Sequence, residues 1–187
     1  MMTQIIDNIK ELMTGKLQLV VAIDGMSASG KSTLAERLEF QLGAEIIHMD
    51  DFFLPQDLRT EDRLKEPGGN VHYERFQTEV ASKIQRMRSF EYGVFDCSRM
   101  EITEYKRIEN DKKIIVVEGA YSMRPEVLGL YDYKIFMKTA PETQLKRITE
   151  RNGEEMAKRF EAQWIPMENA YFKAFDVEKS ADIVIET

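Results

Sequence analysis

The stretch Gly25-Met26-Ser27-Ala28-Ser29-Gly30-Lys31-Ser32 fits the spacing G-x-x-x-x-G-K-[ST], the pattern of a loop that cradles phosphate groups. Gly25 and Gly30 let bare backbone amides curl around phosphate oxygens. The helix expected to follow adds the positive end of its dipole. Lys31 has the length to reach the β- and γ-phosphates of a nucleotide, and the hydroxyl of Ser32 suits Mg²⁺. Ser27, Ala28, Ser29 and Thr33 complete the expected nucleotide-binding stretch.

Phosphoryl transfer also needs acids for a metal and for the nucleophile, and cations for the charge that develops. Glu118 follows four consecutive β-branched residues, so it stands where a strand-end acid meets Mg²⁺ or its water shell. Asp50 and Asp51 close another short apolar run, and one of them can accept the proton of an acceptor hydroxyl. Arg147 and Arg151 are one helical turn apart and share a face. With Lys146 and Arg159 they are placed to close over phosphates, or else form a solvated basic face beside Glu150, Glu154 and Glu155. His48 and His72 lack the neighbours of a metal cluster. Cys97 reads as a half-buried thiol without an activating histidine. Asp24 has no role legible from its neighbours beyond a local hydrogen bond. Trp164, Tyr171, Phe172 and Phe175 read first as helix packing.

The elements that must position these residues alternate between strand and helix. Residues 3–13 have helical spacing with Thr3 as a candidate N-cap, ended by Gly15. Leu17 and residues 19–23 read as a buried strand into the loop, residues 33–42 as its helix, and Gly43 as the stop. Residues 44–49 form a second strand. Residues 52–71 show no clean period, and a run of about 20 such residues in a compact domain is usually functional or disordered. Residues 73–90 return to helical spacing through Phe76, Val80, Ile84 and Met87, and two strand-like pieces follow at 92–95 and 102–105. Further strands are expected at 112–117, 133–137 and 182–185. A short helix is expected at 125–130, another from Pro141 to about Arg151, and more helix over 154–175 with Pro166 as a kink or stop. Such alternation implies a parallel sheet covered on both faces.

Composition narrows the class. The chain has 187 residues, 43% hydrophobic and 32% charged, which suits one soluble globular domain. A net charge of −7 gives no general attraction for nucleic acid or anionic membranes. No apolar run approaches the roughly 20 residues of a membrane span, and no signal-peptide pattern opens the chain. One cysteine excludes an internal disulfide and suits the cytoplasm, the expected location.

These pieces together resemble the uridine kinase and phosphoribulokinase group of P-loop kinases. The matching motifs are residues 25–33 (GMSASGKST), 48–53 (HMDDFF), 117–119 (VEG), 147–153 (RITERNG) and 181–185 (ADIVI), in an order that spans most of the chain. The resemblance implies a P-loop kinase three-layer α/β sandwich, with a parallel five-stranded sheet and a short helical lid. The whole chain would be a single domain, with an acceptor-binding insertion at about 52–110 and a lid at about 147–165. It implies ATP or GTP as donor, Mg²⁺, and a small hydroxyl compound as acceptor. Carried over by motif, Asp50 resembles the carboxylate that activates the hydroxyl, and Ser32, Asp50 and Glu118 resemble the metal environment. Lys31, Arg147 and Arg151 complete the expected catalytic set. Phe53, His72, Tyr73 and Arg99 fall on the acceptor side. Where uridine kinases typically carry an aspartate and a histidine that read the nucleoside, this chain has His72 and Cys97. The acceptor therefore stays open between a nucleoside and a sugar- or pantothenate-like alcohol. A nucleotide-sensing protein with slow ATPase activity and a nucleic-acid end kinase are the rival readings, the latter opposed by the acidic balance. The oligomeric state is open, a homo-oligomer included.

Overall fold

The computed structural model describes residues 2–86, 89–109 and 113–187. Its centre is β1 (Leu19–Gly25), whose seven residues are all buried. Helix α1 (Met2–Leu12) precedes it and α2 (Lys31–Leu42) follows it. After β2 (Glu45–His48) comes a 3-10 turn, Met49–Phe52. A second 3-10 turn, Gln56–Leu58, leads to α3 (Glu61–Lys65). Helix α4 (Tyr73–Phe76) continues through a π-turn, Gln77–Ala81, into α5 (Ser82–Ile84). The hairpin β3 (Phe90–Asp96) and β4 (Glu101–Ile108) follows, then β5 (Ile114–Glu118) and β6 (Tyr133–Lys138). The chain ends through α6 (Pro141–Asn152), α7 (Glu154–Arg159), α8 (Ile165–Ala174), α9 (Val177–Ser180) and β7 (Ile183–Glu186).

Five strands form one sheet in the order β2-β5-β1-β6-β7, every pair parallel. Their sequences are continuous apolar runs rather than alternating ones because both faces are covered. Side chains of one strand alternate between faces, so Val20, Ala22, Ile115 and Val117 join a core with Phe76, Val80, Ile84, Tyr92 and Tyr171. Leu19, Val21, Ile23, Ile114 and Val116 face the other way, against Ile5, Ile9, Leu34 and Leu38 of α1 and α2. The strand order places the carboxyl ends of β1, β2 and β5 side by side, which is where ligands bind in open α/β sheets.

Several local expectations shift. Thr3 lies inside α1, which already begins at Met2. Leu17 is 79% exposed and outside β1, since the strand starts only where both faces are covered. The expected helix at 125–130 reduces to one 3-10 turn, Leu128–Leu130. Phe90 opens β3 instead of closing a helix, whereas Met87 and Lys112 lie outside the described residues. Pro166 neither stops nor breaks its helix. Just before it the chain forms a π-turn, Phe160–Trp164, and the amide of Ile165 bonds the carbonyl of Phe160 five residues back. The wider turn shifts the hydrogen-bond register where the proline has no amide to donate.

The aperiodic stretch at 52–71 is ordered by side chains. Arg63 donates to the carbonyls of Gly69 and Val71 at 3.0 Å each and to both carboxylate oxygens of Glu74 at 2.7 and 2.9 Å. Arg124, 3% exposed, bonds the Pro67 carbonyl at 2.9 Å. An antiparallel bridge joins Phe53 to Val71. These guanidiniums supply the donors that a helix or strand would have supplied from its backbone.

Candidate active site

The loop after β1 turns at Gly25, where φ is +137°. A Cβ there would stand 2.0 Å from the carbonyl oxygen of Met137, so only glycine permits β1 to pair with β6 and still enter the loop. Gly25→Ala is accordingly expected to lose nucleotide binding together with several degrees of melting temperature. A thermal melt with and without nucleotide reads both, and a variant that melts and binds normally would contradict the steric argument. Gly30, at φ +92°, makes the second turn and delivers the chain into α2. The first-turn amides of Lys31 and Ser32 have no intrahelical acceptor and stay available to an anion.

In this structure the Lys31 ammonium rests on the loop's own carbonyls, at 2.9 Å from both Gly25 O and Met26 O. The Ser32 hydroxyl stands 3.3 Å from both oxygens of Glu118. Glu118, the last residue of β5 and 5% exposed, also lies 2.6 Å from Nδ1 of His48 at the end of β2. This contact with the Glu118 carboxylate raises the pKa of His48.

Asp50 sits in the 3-10 turn after β2, open to the cleft but ringed by its walls. Loss of bulk water and then the nearby charge of Glu118 raise its pKa, while Lys31 opposes the shift. Asp51, its neighbour, accepts a hydrogen bond from the Tyr92 hydroxyl at 3.0 Å and does not line the cavity. The structure thereby separates the two aspartates: Asp50 faces the cleft and Asp51 is tied to the hairpin.

A cavity of about 1070 Å³ joins these groups. It runs from residues 27–34 past Asp50 and Glu118 to Phe53, and Arg147 and Arg151 also lie on its wall. The Arg147 guanidinium bonds the carbonyl of Ala28 at 3.2 Å and the hydroxyl of Thr187 at 3.0 Å, so it touches the phosphate loop directly. Three residues expected on the acceptor side do not reach the wall. Tyr73 is covered by the guanidiniums of Arg63 and Arg124, 4.3 and 4.0 Å from its ring centre. Arg99 is paired with Glu101 at 2.7 Å in the hairpin turn. His72 precedes α4, and burial lowers its pKa. Cys97 is exposed rather than half-buried and lies on the wall, because the hairpin turn carries it to the cavity mouth.

Two residues matter here that the sequence left without a role. Glu168 of α8 is 5% exposed; it accepts the Ser27 amide at 3.0 Å and also the Ser27 hydroxyl. Desolvation raises its pKa while Lys31 opposes the shift. The only sequence signal was an acid in a helix otherwise rich in apolar residues. Asp24, fully buried, accepts from the amides of Gly25, Tyr121 and Met123 at 2.6, 3.2 and 2.8 Å and from the Tyr171 hydroxyl at 2.8 Å. Burial pushes its pKa up to about 6 against the pull of these donors.

The set fits Mg²⁺. Ser32, Glu118 and Asp50 offer only oxygen donors, and the two carboxylates repel each other enough to shift Asp50. No group of three or more His, Cys, Asp or Glu side chains suited to a metal occurs among the described residues.

No family model matches the chain. Among curated proteins it is 26% identical to a uridine kinase of Clostridium perfringens, covering 91% of this chain and 88% of that one. A uridine kinase of Aliivibrio salmonicida is also 26% identical, over 89% of this chain and 85% of its own length. Among solved structures, a possible uridine kinase from Bacillus stearothermophilus superposes with a TM-score of 0.69 at 20% identity, covering 97% and 99% of the two chains. The phosphoribulokinase of Rhodobacter spheroides shares the fold at a TM-score of 0.62 and 12% identity, over 91% of this chain and 70% of that one. With its phosphate loop, its strand order and these likenesses, the chain has the fold of the P-loop kinases and is similar to their uridine kinase/phosphoribulokinase-like group.

Proposed function

We propose that the protein transfers the γ-phosphate of ATP to a hydroxyl of a small molecule. The observation that supports this most is the single cavity wall shared by the phosphate loop, Glu118 and Asp50. A protein that only sensed nucleotide would need the first two but not a cleft-facing carboxylate.

In this reading the amides of residues 28–32 and the Lys31 ammonium hold the donor phosphates. Lys31 leaves the carbonyls of Gly25 and Met26 for phosphate oxygens when nucleotide enters. Ser32, Glu118 and Asp50 would hold Mg²⁺, which supplies charge neutralisation across the phosphates. Asp50 accepts the proton of the acceptor hydroxyl, and its raised pKa makes it a stronger base than a solvated carboxylate. Arg147, already against the loop at Ala28, and Arg151 balance the charge that builds on the moving phosphoryl group. Catalysis then rests on positioning and electrostatics.

The names of the curated relatives favour a nucleoside acceptor. A second reading, a non-nucleoside alcohol, is favoured by the placement of His72, Tyr73 and Arg99 away from the cavity wall. A screen of nucleosides, sugars and hydroxy acids for stimulated ADP release decides between them. Stimulation with a phosphorylated product supports the kinase reading. Steady hydrolysis that no alcohol changes would replace it with a nucleotide-sensing role.

A further inference from the structure

The acceptor end of the cavity is walled by Phe53, Gln56, Arg59, Phe95, Cys97 and Met100. Five of these side chains are uncharged. The sixth, Arg59, is part-buried at the end of the 3-10 turn Gln56–Leu58. Its backbone is pinned from both sides. The amide of Arg59 bonds the carbonyl of Gln56 at 3.3 Å, and that of Thr60 bonds Leu58 at 2.9 Å. Thr60 then caps α3 by accepting the Arg63 amide at 3.2 Å.

Arg59 has no ion pair or side-chain hydrogen bond among the described residues, unlike Arg63, Arg75 and Arg124 around it. The other cations on the cavity wall, Lys31, Arg37, Arg147 and Arg151, belong to α2 and α6, and Lys31 and Arg147 bond the phosphate loop itself. A guanidinium left without a counter-charge in a partly desolvated wall is a site for a planar anion. Asp50, Cys97 and Arg59 line the same cavity. Crowding and then the Asp50 carboxylate push the Cys97 thiol pKa up while Arg59 pulls it down, so one sulfur feels both charges. Because Asp50 and Arg59 line one cavity of about 1070 Å³, a single molecule in it has access to both.

We propose that the acceptor is a small alcohol carrying an anionic group, a carboxylate or a phosphate, and that Arg59 binds this group while Asp50 receives the hydroxyl. The proposal rests on the kinase reading above and deepens it. Arg59 sets which alcohol is held, and the phosphoryl chemistry stays with Asp50 and the loop.

The test uses matched compounds: hydroxy acids and their amides, sugar phosphates and the parent sugars, and neutral nucleosides. Product formation and direct binding by titration calorimetry are both measured, with wild type, Arg59→Gln and Arg59→Lys. The expected result is a preference of at least about tenfold for the anionic member, the size of one charge-assisted hydrogen bond. In Arg59→Gln the acceptor KM rises by a similar factor and the preference collapses, while Arg59→Lys keeps part of it. Hydroxy acids against sugar phosphates tells carboxylate from phosphate. Equal use of neutral and anionic partners, or an unchanged preference in Arg59→Gln, overturns the proposal and leaves the kinase reading intact. Should no alcohol be phosphorylated, the kinase reading fails. Binding of the anionic compounds, and its loss in Arg59→Gln, then still decides for or against the Arg59 site.

Discussion

Asp50→Asn is expected to lower phosphoryl transfer by about 10²- to 10⁴-fold, the usual worth of a positioned general base, while nucleotide still binds. The asparagine keeps the size of the side chain and its place in the turn after β2, so the cavity wall survives. On the proposed mechanism, what disappears is the carboxylate basicity that would take the hydroxyl proton and one of the charges that would face Mg²⁺. Desolvation and the Glu118 charge hold the Asp50 pKa above its ordinary value. The rate should therefore rise with pH as Asp50 loses its proton, along a limb displaced upward from that of a solvated carboxylate. Single-turnover rates across pH, beside a nucleotide titration, read both effects. Undiminished turnover in the variant, or a pH limb that survives it, removes Asp50 from the mechanism. Asp51→Asn makes the comparison, since Asp51 bonds Tyr92 and stands off the cavity wall.

The second large effect falls on stability. Asp24→Asn should cost roughly 2–5 kcal/mol, because all four partners of Asp24 are donors and an amide nitrogen would face some of them. The loss reaches function as well, since Asp24 ties the start of the phosphate loop to the turn after β5 and to Tyr171 of α8. Its pH dependence has a definite sign. The folded pKa, about 6, exceeds the unfolded reference of 3.8, so the folded chain takes up this proton first. The contribution of Asp24 to stability therefore grows as pH falls from about 6 to about 4, by about 3 kcal/mol. The gap between wild type and Asp24→Asn should widen toward acid. Denaturant melts of both proteins at pH 7 and pH 5 measure it, and a gap that narrows toward acid contradicts the burial argument. Tyr171→Phe, which removes a single donor, serves if the asparagine variant does not fold. It should move the Asp24 titration further upward.

Most of the architecture was legible because it is written in local patterns. A strand buried on both faces must be a continuous apolar run, as residues 19–23 and 114–117 are, and a helix against one face must repeat at i, i+4, as Leu34 and Leu38 do. Glycines at positive φ mark their own positions, as Gly25, Gly30 and Gly43 do. The cavity wall beyond the phosphate loop was less legible. Its segment, 52–71, carries no period since it is held by the side chains of Arg63 and Arg124, whose partners are spread from Pro67 to Glu126. Side-chain bonds of that kind leave no repeat in the sequence.

The phosphate loop shows both halves of this. Its spacing alone determined that an anion-binding turn would stand between a buried strand and a helix, because each residue type there answers to its immediate neighbours. Only the tertiary structure decided what meets the loop. Glu118 comes to Ser32 from 86 residues away and Glu168 to Ser27 from 141. Asp50 rather than Asp51 faces the cleft, and Arg59 rather than His72, Tyr73 or Arg99 stands on the cavity wall. The reason is physical: which of several polar side chains enters a cavity depends on packing between segments far apart in the chain, and spacing between neighbours does not contain that information.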